Sequence, residues 1–353
     1  MKTKKLLLLS MLLVPLLTMG AACGFKFGST AKQGSGVFKS FNQGKDWVTK
    51  VAVPMVGGKT ANISSVNVTR LTIDPQDNKA LYLGTGENGL FYSYTGAESW
   101  FQVPRLNKGK ISAVIVDPAD KCNLYVATGN RIVKSVDCGR TWFDAYFETR
   151  VQQEITDLAI DGYNPQIIYA GTSAGDLLKS ADAGKSWMTI ERFKKAIRRV
   201  LVNYYDTRII YVATKDAGIF KSTNAGGAWT DLEKGLKAFP GAQNIIELVL
   251  DKSQPDVLVL ASQYGLLKTI DGGLSWSGLE LLTPPKGAMI YSLALDPKNS
   301  NNIYYATATT FYKSADAGQT WVTRKLPTDK AASALLVDSV DGNIIYLGTY
   351  QLK

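Results

Sequence analysis

Four charged residues stand where this chain could do chemistry: Arg70, Asp157, Arg199 and Glu247. Each falls four residues before the residue that closes an apolar strand of the Leu-Thr-Ile-Asp type, seen at Leu71 to Asp74. The same column reads Ala113, Ser292 and Ala334 in the other copies, and the positions one and three residues before the closing residue are aliphatic throughout. The charges therefore alternate with core positions on a buried strand, and they need partners. Asp157, Arg199 and Glu247 come from three consecutive copies. Two carboxylates across a sugar, Asp157 and Glu247, would suit glycoside hydrolysis. The arginines would suit an anionic ligand, or the whole set could neutralise itself as an ion-pair plug in a wet channel. Histidine is absent, which excludes Ser-His-Asp and Cys-His catalysis and histidine-ligated metals. No Gly-rich phosphate loop follows a strand at the required spacing, so no cofactor and no metal are expected.

What must position these residues is a repeat. The pattern Ser-x-Asp-x-Gly-x-x-Trp runs at Ser135-Asp137-Gly139-Trp142, Ser180-Asp182-Gly184-Trp187 and Ser314-Asp316-Gly318-Trp321. Variants occur with Asn42, Asn224 and Asp271 at the acidic position, and Ser93-Thr95-Ala97-Trp100 keeps only the frame. All 7 tryptophans belong to these copies, at spacings of 42 to 53 residues. Such a period, with several short apolar strands per copy, predicts an all-β, seven-bladed β-propeller of four-stranded antiparallel blades. In each box the Asp or Asn caps backbone amides, Gly permits a positive φ and Trp packs into the blade, which is a folding device. A second recurring strand reads like Ile-Tyr-x-Gly-Thr, as at Ile168 to Thr172. The chain begins with a box and ends with the other two elements, so strands around Leu335 to Val337 and Ile344 to Thr349 must share a blade with Val37 to Ser40 and close the ring.

Loops near the charged column add basic residues. Lys194, Lys195 and Arg198 lie beside Phe193, Arg150 beside Tyr146 and Phe147, and Lys234 and Lys237 beside Phe239; Arg105, Lys108 and Lys110 form a further group. Singly these are ordinary solvated charges; their convergence on one face favours an acidic protein segment or an anionic glycan. No nucleic-acid-binding motif appears.

Lys2, Lys4 and Lys5, an apolar run from Leu6 to Met19 and the small residues Gly20 to Ala22 form an export signal over residues 1–22. Cys23 follows, so the start resembles a bacterial lipoprotein signal, although Gly20 stands where an aliphatic residue is usual. Residues 23–36 read as a tether and 37–353 as one propeller. The membrane is expected only through Cys23, with the chain in the cell envelope as a monomer. Without residues 1–22 the net charge of +10 falls to about +7. Cys122 and Cys138 flank a hairpin turning at Gly129-Asn130, each eight residues from Asn130, which predicts opposed positions and a disulfide.

The boxes and their period resemble those of Asp-box (BNR) propellers, a group that includes sialidases, xyloglucanases, the sortilin N-terminal domain and photosystem II assembly factor-like lipoproteins. The resemblance covers the chain from about Val37 onward. It implies box turns on one face and binding on the other, where the charged column and the basic loops lie. The xyloglucanase relatives use two propellers in tandem, and no arginine triad or Arg-Ile-Pro segment of a sialidase is found here. The expectation is therefore a non-catalytic binding or assembly-scaffold protein, with a glycan-binding or glycoside-hydrolase propeller acting on extracellular polysaccharide as the alternative.

Overall fold

The computed structural model describes residues 34–54 and 60–352. The export segment, Cys23 and most of the tether lie outside these residues. Ser35 and Gly36, at the tether's end, already bind the ring: the Ser35 amide donates to the Ser64 carbonyl at 2.8 Å and the Gly36 amide to Thr349 Oγ1 at 2.8 Å.

Seven four-stranded antiparallel sheets form the described structure, with a small hairpin of Ala52–Pro54 and Thr60–Asn62 beside them. Blades 1 to 6 begin with the inner strands Val68–Asp74, Ile111–Val116, Ile155–Ile160, Ile197–Val202, Ile245–Leu250 and Ser292–Asp296. Blade 7 takes Ala331–Val337 and Ile345–Tyr350 from the C-terminal part and Val37–Ser40 and Val48–Thr49 from the N-terminal part. Val37 pairs with Gly348 and Ser40 with Ile345. Each inner strand touches the next, and the seventh touches the first, so the chain is a closed seven-bladed β-propeller.

The core lies between blades. Tyr82 and Leu90 of blade 1 pack with Val114, Val126 and Trp142 of blade 2, and the other clusters straddle their seams in the same way. This explains the second-strand motif, whose residues Ile168–Thr172 are all buried because neighbours cover both faces. It also explains the motif's glycine: a Cβ on Gly171 would lie 2.4 Å from Ile197 of the next blade, and one on Gly348 would lie 2.4 Å from Val68. Outer strands such as Val322–Lys325 are exposed.

The boxes form as capped turns. Ser135 Oγ accepts the Gly139 amide at 2.9 Å, and Asp137 accepts the Thr141 amide at 2.8 Å. Asn42 and Asn224 accept the corresponding amides of Asp46 and Ala228, both at 2.8 Å. Two consecutive residues have positive φ, Ala183 at 59° and Gly184 at 83° in blade 3. In the degenerate box of blade 1 the order is reversed, with Gly96 at 65° and Ala97 at 70°. The strand-closing residues cap turns on the same face: Asp74 accepts the Gln76 amide and Asn203 the Tyr205 amide. The widest tryptophan spacing, Trp47 to Trp100, holds the small hairpin, and the buried Trp100 indole donates to the Lys50 carbonyl at 2.9 Å.

Cys122 and Cys138 meet, with Cα atoms 3.7 Å apart, but not as opposed ladder residues. Thr128 pairs with Arg131, so the register is centred between Gly129 and Asn130 and places Cys122 one residue out of step. The box turn corrects the offset: Cys138 takes a φ of 60° and its amide donates to the Cys122 carbonyl at 3.1 Å.

Candidate functional site

The charged column converges at one end of the central channel. A backbone bulge sets it up: the inner strands skip one residue against their partners, as between Ile155 and Asp157, Ile197 and Arg199, and Ile245 and Glu247. The skipped position turns, so that Thr69 and Arg70, and Ser333 and Ala334, face the same cavity in adjacent pairs. Simple alternation would send one of each pair to the core.

Asp157 is the hub. Its carboxylate accepts Arg70 Nη2 at 2.9 Å, Arg199 Nη1 at 3.4 Å and the Val200 amide at 2.9 Å, and it is 1% exposed. Glu247 lies 2.6 Å from Arg199 Nε, out of line for a hydrogen bond, and the contact is an ion pair. Contacts on neighbouring nitrogens of one guanidinium hold the two carboxyl groups close together, as a pair of glycosidase carboxylates must be. Burial and the like charge of Arg199 push the Arg70 guanidinium below its ordinary value. Burial also opposes the charge on Arg199, but Glu247 and Asp157 outweigh it and leave its pKa raised.

Arg70, Arg199 and Glu247 face a channel cavity of about 220 Å³, while Asp157 sits behind them. Ala113 lies between Arg70 and Asp157 around the ring, whereas Ser292 and Ala334 occupy the uncharged side of the column and line the cavity. Its lining continues past Leu201 and Val249 to Tyr204 and Lys252 on the face of the box turns. Lys252 Nζ sits 5.0 Å from the Tyr204 ring centroid, and Tyr204 and Tyr205 are both exposed. These residues escaped sequence reading, which looked at one face only. Their signal was present, in tyrosines directly after a strand-closing Asn203.

The basic loops are less uniform than their sequence suggests. Lys194, Lys195 and Arg198 are exposed and form no ion pair among the described residues. Arg150, by contrast, is tied to Glu148 at 2.6 Å and Asp176 at 2.7 Å, and Lys110 to Glu154 at 3.0 Å. The side-chain and backbone donors of Arg150 overcome burial to hold Glu148 down at about 2. Several loop aromatics also turn inward: Phe193 packs on Phe220 and Trp229, Phe239 on Tyr264, and Tyr146 on Trp187. Phe147 stays exposed under Arg131.

No family model matches the chain. In sequence it is 23% identical over 146 residues to the xyloglucanase Xgh74A of Acetivibrio thermocellus, covering 35% of this chain and 17% of that protein. In structure it is similar to the GH74 xyloglucanase of Xanthomonas campestris, with a TM-score of 0.67 at 19% identity over 85% of this chain and 52% of the other. It is similar also to YCF48 from Cyanidioschyzon merolae, with a TM-score of 0.62 at 13% identity over 84% of this chain and 98% of that one. The shared feature is the fold, a seven-bladed β-propeller, whose blades in this chain carry the capped box turns. The chain spans about half the length of the xyloglucanase structure it matches.

These matches correct the functional expectation. The reading of a non-catalytic scaffold for an acidic segment is overturned by the likeness to xyloglucanases in both sequence and structure, which points to the glycan-acting alternative. A single propeller does not stand against this alternative, since it aligns with about half of a longer xyloglucanase.

Proposed function

We propose that this protein acts on extracellular polysaccharide, as a glycan-binding or glycoside-hydrolase propeller that takes saccharide at its central channel. The observation that carries this reading is a channel with two carboxylates on one guanidinium, in a chain similar to xyloglucanases. Export directed by residues 1–22, with or without a lipid on Cys23, would put it where such polymers occur.

Each residue has a defined part. Asp157, fully occupied by three donors, fixes both arginines. Arg199 and Arg70 offer donors to hydroxyl or carboxylate groups of a sugar. Glu247, with 23% of its side chain exposed, is the carboxylate that can meet a ligand, and Arg199 must turn from it before it reaches a glycosidic oxygen. Tyr204 offers an aromatic face at the far opening. Lys194, Lys195 and Arg198 supply unpaired charge beside the mouth for acidic glycans.

Incubation with xyloglucan and other neutral and acidic polysaccharides, followed by affinity and reducing-end measurement, tests the proposal. Binding or cleavage by the parent that falls about a hundredfold in Glu247→Gln, with folding intact, supports it. No binding and no cleavage of any polysaccharide by the folded parent overturns it.

A further inference from the structure

In six of the seven blades the residue before the box hydroxyl is a lysine: Lys39, Lys134, Lys179, Lys221, Lys268 and Lys313. The ammonium groups of Lys39, Lys134 and Lys179 reach across the seam to the carbonyls of Gly96, Ala183 and Ala225 in the next blade, at 2.8, 2.9 and 3.1 Å. Each also sits over a tyrosine of its own blade, 5.2 Å from Tyr346, 5.1 Å from Tyr125 and 5.4 Å from Tyr169. At these three seams tyrosine, lysine and carbonyl together latch one blade to its neighbour, whereas Lys221 faces Asp256 at 4.0 Å and Lys313 donates to Gln43 Oε1.

Blade 1 lacks the latch. Its residue at this place is Tyr92, and the matching carbonyl in blade 2, that of Cys138, receives only the Tyr94 hydroxyl at 3.4 Å. The seam opens there into a cavity of about 490 Å³ that shares no lining residue with the channel cavity and is walled by Tyr82, Tyr92, Tyr94 and Trp142. Tyr92 stacks on the exposed Phe101 with centroids 5.6 Å apart and planes 27° apart, extending the aromatic surface outward. Asp74 and Asp77 face Lys121 and Arg140 around it, so the charges balance.

We propose that this unlatched seam between blades 1 and 2 is a second saccharide site, selective for neutral sugars. The inference rests on the glycan reading above and adds a place and a selectivity to it. Aromatic faces stack on the C–H faces of a pyranose. Carboxylate and guanidinium groups at the edge pair with hydroxyls as acceptors and donors. Balanced charge gives no field that would select an ion, unlike the basic mouth of the channel. The site would hold a polymer strand on the ring's flank while the channel engages another part.

The test is titration of neutral xyloglucan oligosaccharides into the full chain, its Tyr92→Lys variant and its Glu247→Gln variant, with tyrosine and tryptophan fluorescence and calorimetry as readouts. Tyr92→Lys restores the residue carried by the other six blades, so it should close the cavity without loss of fold, and Arg140→Ala perturbs the exposed edge independently. The proposal expects Tyr92→Lys and Arg140→Ala each to weaken the seam event about tenfold, with Glu247→Gln leaving it unchanged. Parent-like binding by both Tyr92→Lys and Arg140→Ala, with loss confined to Glu247→Gln, overturns the second site and leaves the channel reading standing. Absence of binding of these neutral oligosaccharides by the parent overturns the seam site, while the channel reading is decided by the wider set of neutral and acidic polysaccharides.

Discussion

The box aspartates show how a single side chain is tuned by the turn it closes. Hydroxyl and amide donors of Thr141, Ser186 and Thr320 hold Asp137, Asp182 and Asp316 at about 2. At Asp271 burial works the other way, but the Ser275 hydroxyl and amide prevail and the value is again about 2. A carboxylate whose folded pKa lies below its unfolded value near 4 stabilises the fold fully above that value, and the contribution is lost as pH falls toward 2. Asn42 and Asn224 make the same amide contacts without titrating. Replacing all four aspartates by asparagine should therefore move the acid-unfolding midpoint to lower pH, followed by far-ultraviolet circular dichroism. An unmoved midpoint would place the acid sensitivity elsewhere, with Glu148 the next carboxylate to change.

Hairpins and seams carry the next level. The hairpin of Leu124–Thr128 and Arg131–Ser135 brings Cys122 and Cys138 together across a separation of 16 residues. A cross-link closing a loop of that size contributes about 3 kcal/mol through the unfolded chain. Cys138→Ser should lower the unfolding free energy by about 2 to 3 kcal/mol in non-reducing buffer and do little in excess reductant. Denaturant melts in both buffers, with a mass difference of about two hydrogens on reduction, check the pairing. The sequence placed both cysteines at this hairpin's open end. It mis-set their register, because the left-handed turn at Cys138 lies outside what strand counting sees.

Closure of the ring governs the whole molecule. Ile345, Tyr346 and Leu347 are fully buried in the strand that joins the two ends of the chain. Burial of such side chains contributes about 1.5 to 3 kcal/mol each, comparable in sum with the entire stability of a typical domain. Truncation after Val340 should therefore abolish the cooperative melt, seen by calorimetry, and not merely fray one blade; a truncated chain that melts as sharply as the parent would show that the other six blades stand alone. Seven boxes, their period and the split blade were legible in the sequence because each rests on contacts within a few residues or on a count of copies. The column of Arg70, Asp157, Arg199 and Glu247 was legible too, since every inner strand ends on a recognisable residue. The tertiary structure decided what those charges do. Arg70 meets Asp157 across 87 residues and two blade seams, a distance that only the curvature of the closed ring can bridge. It likewise decided which loop cations stay free, and that the seam between blades 1 and 2 holds a cavity, because both depend on side chains from blades that meet only after the ring has closed.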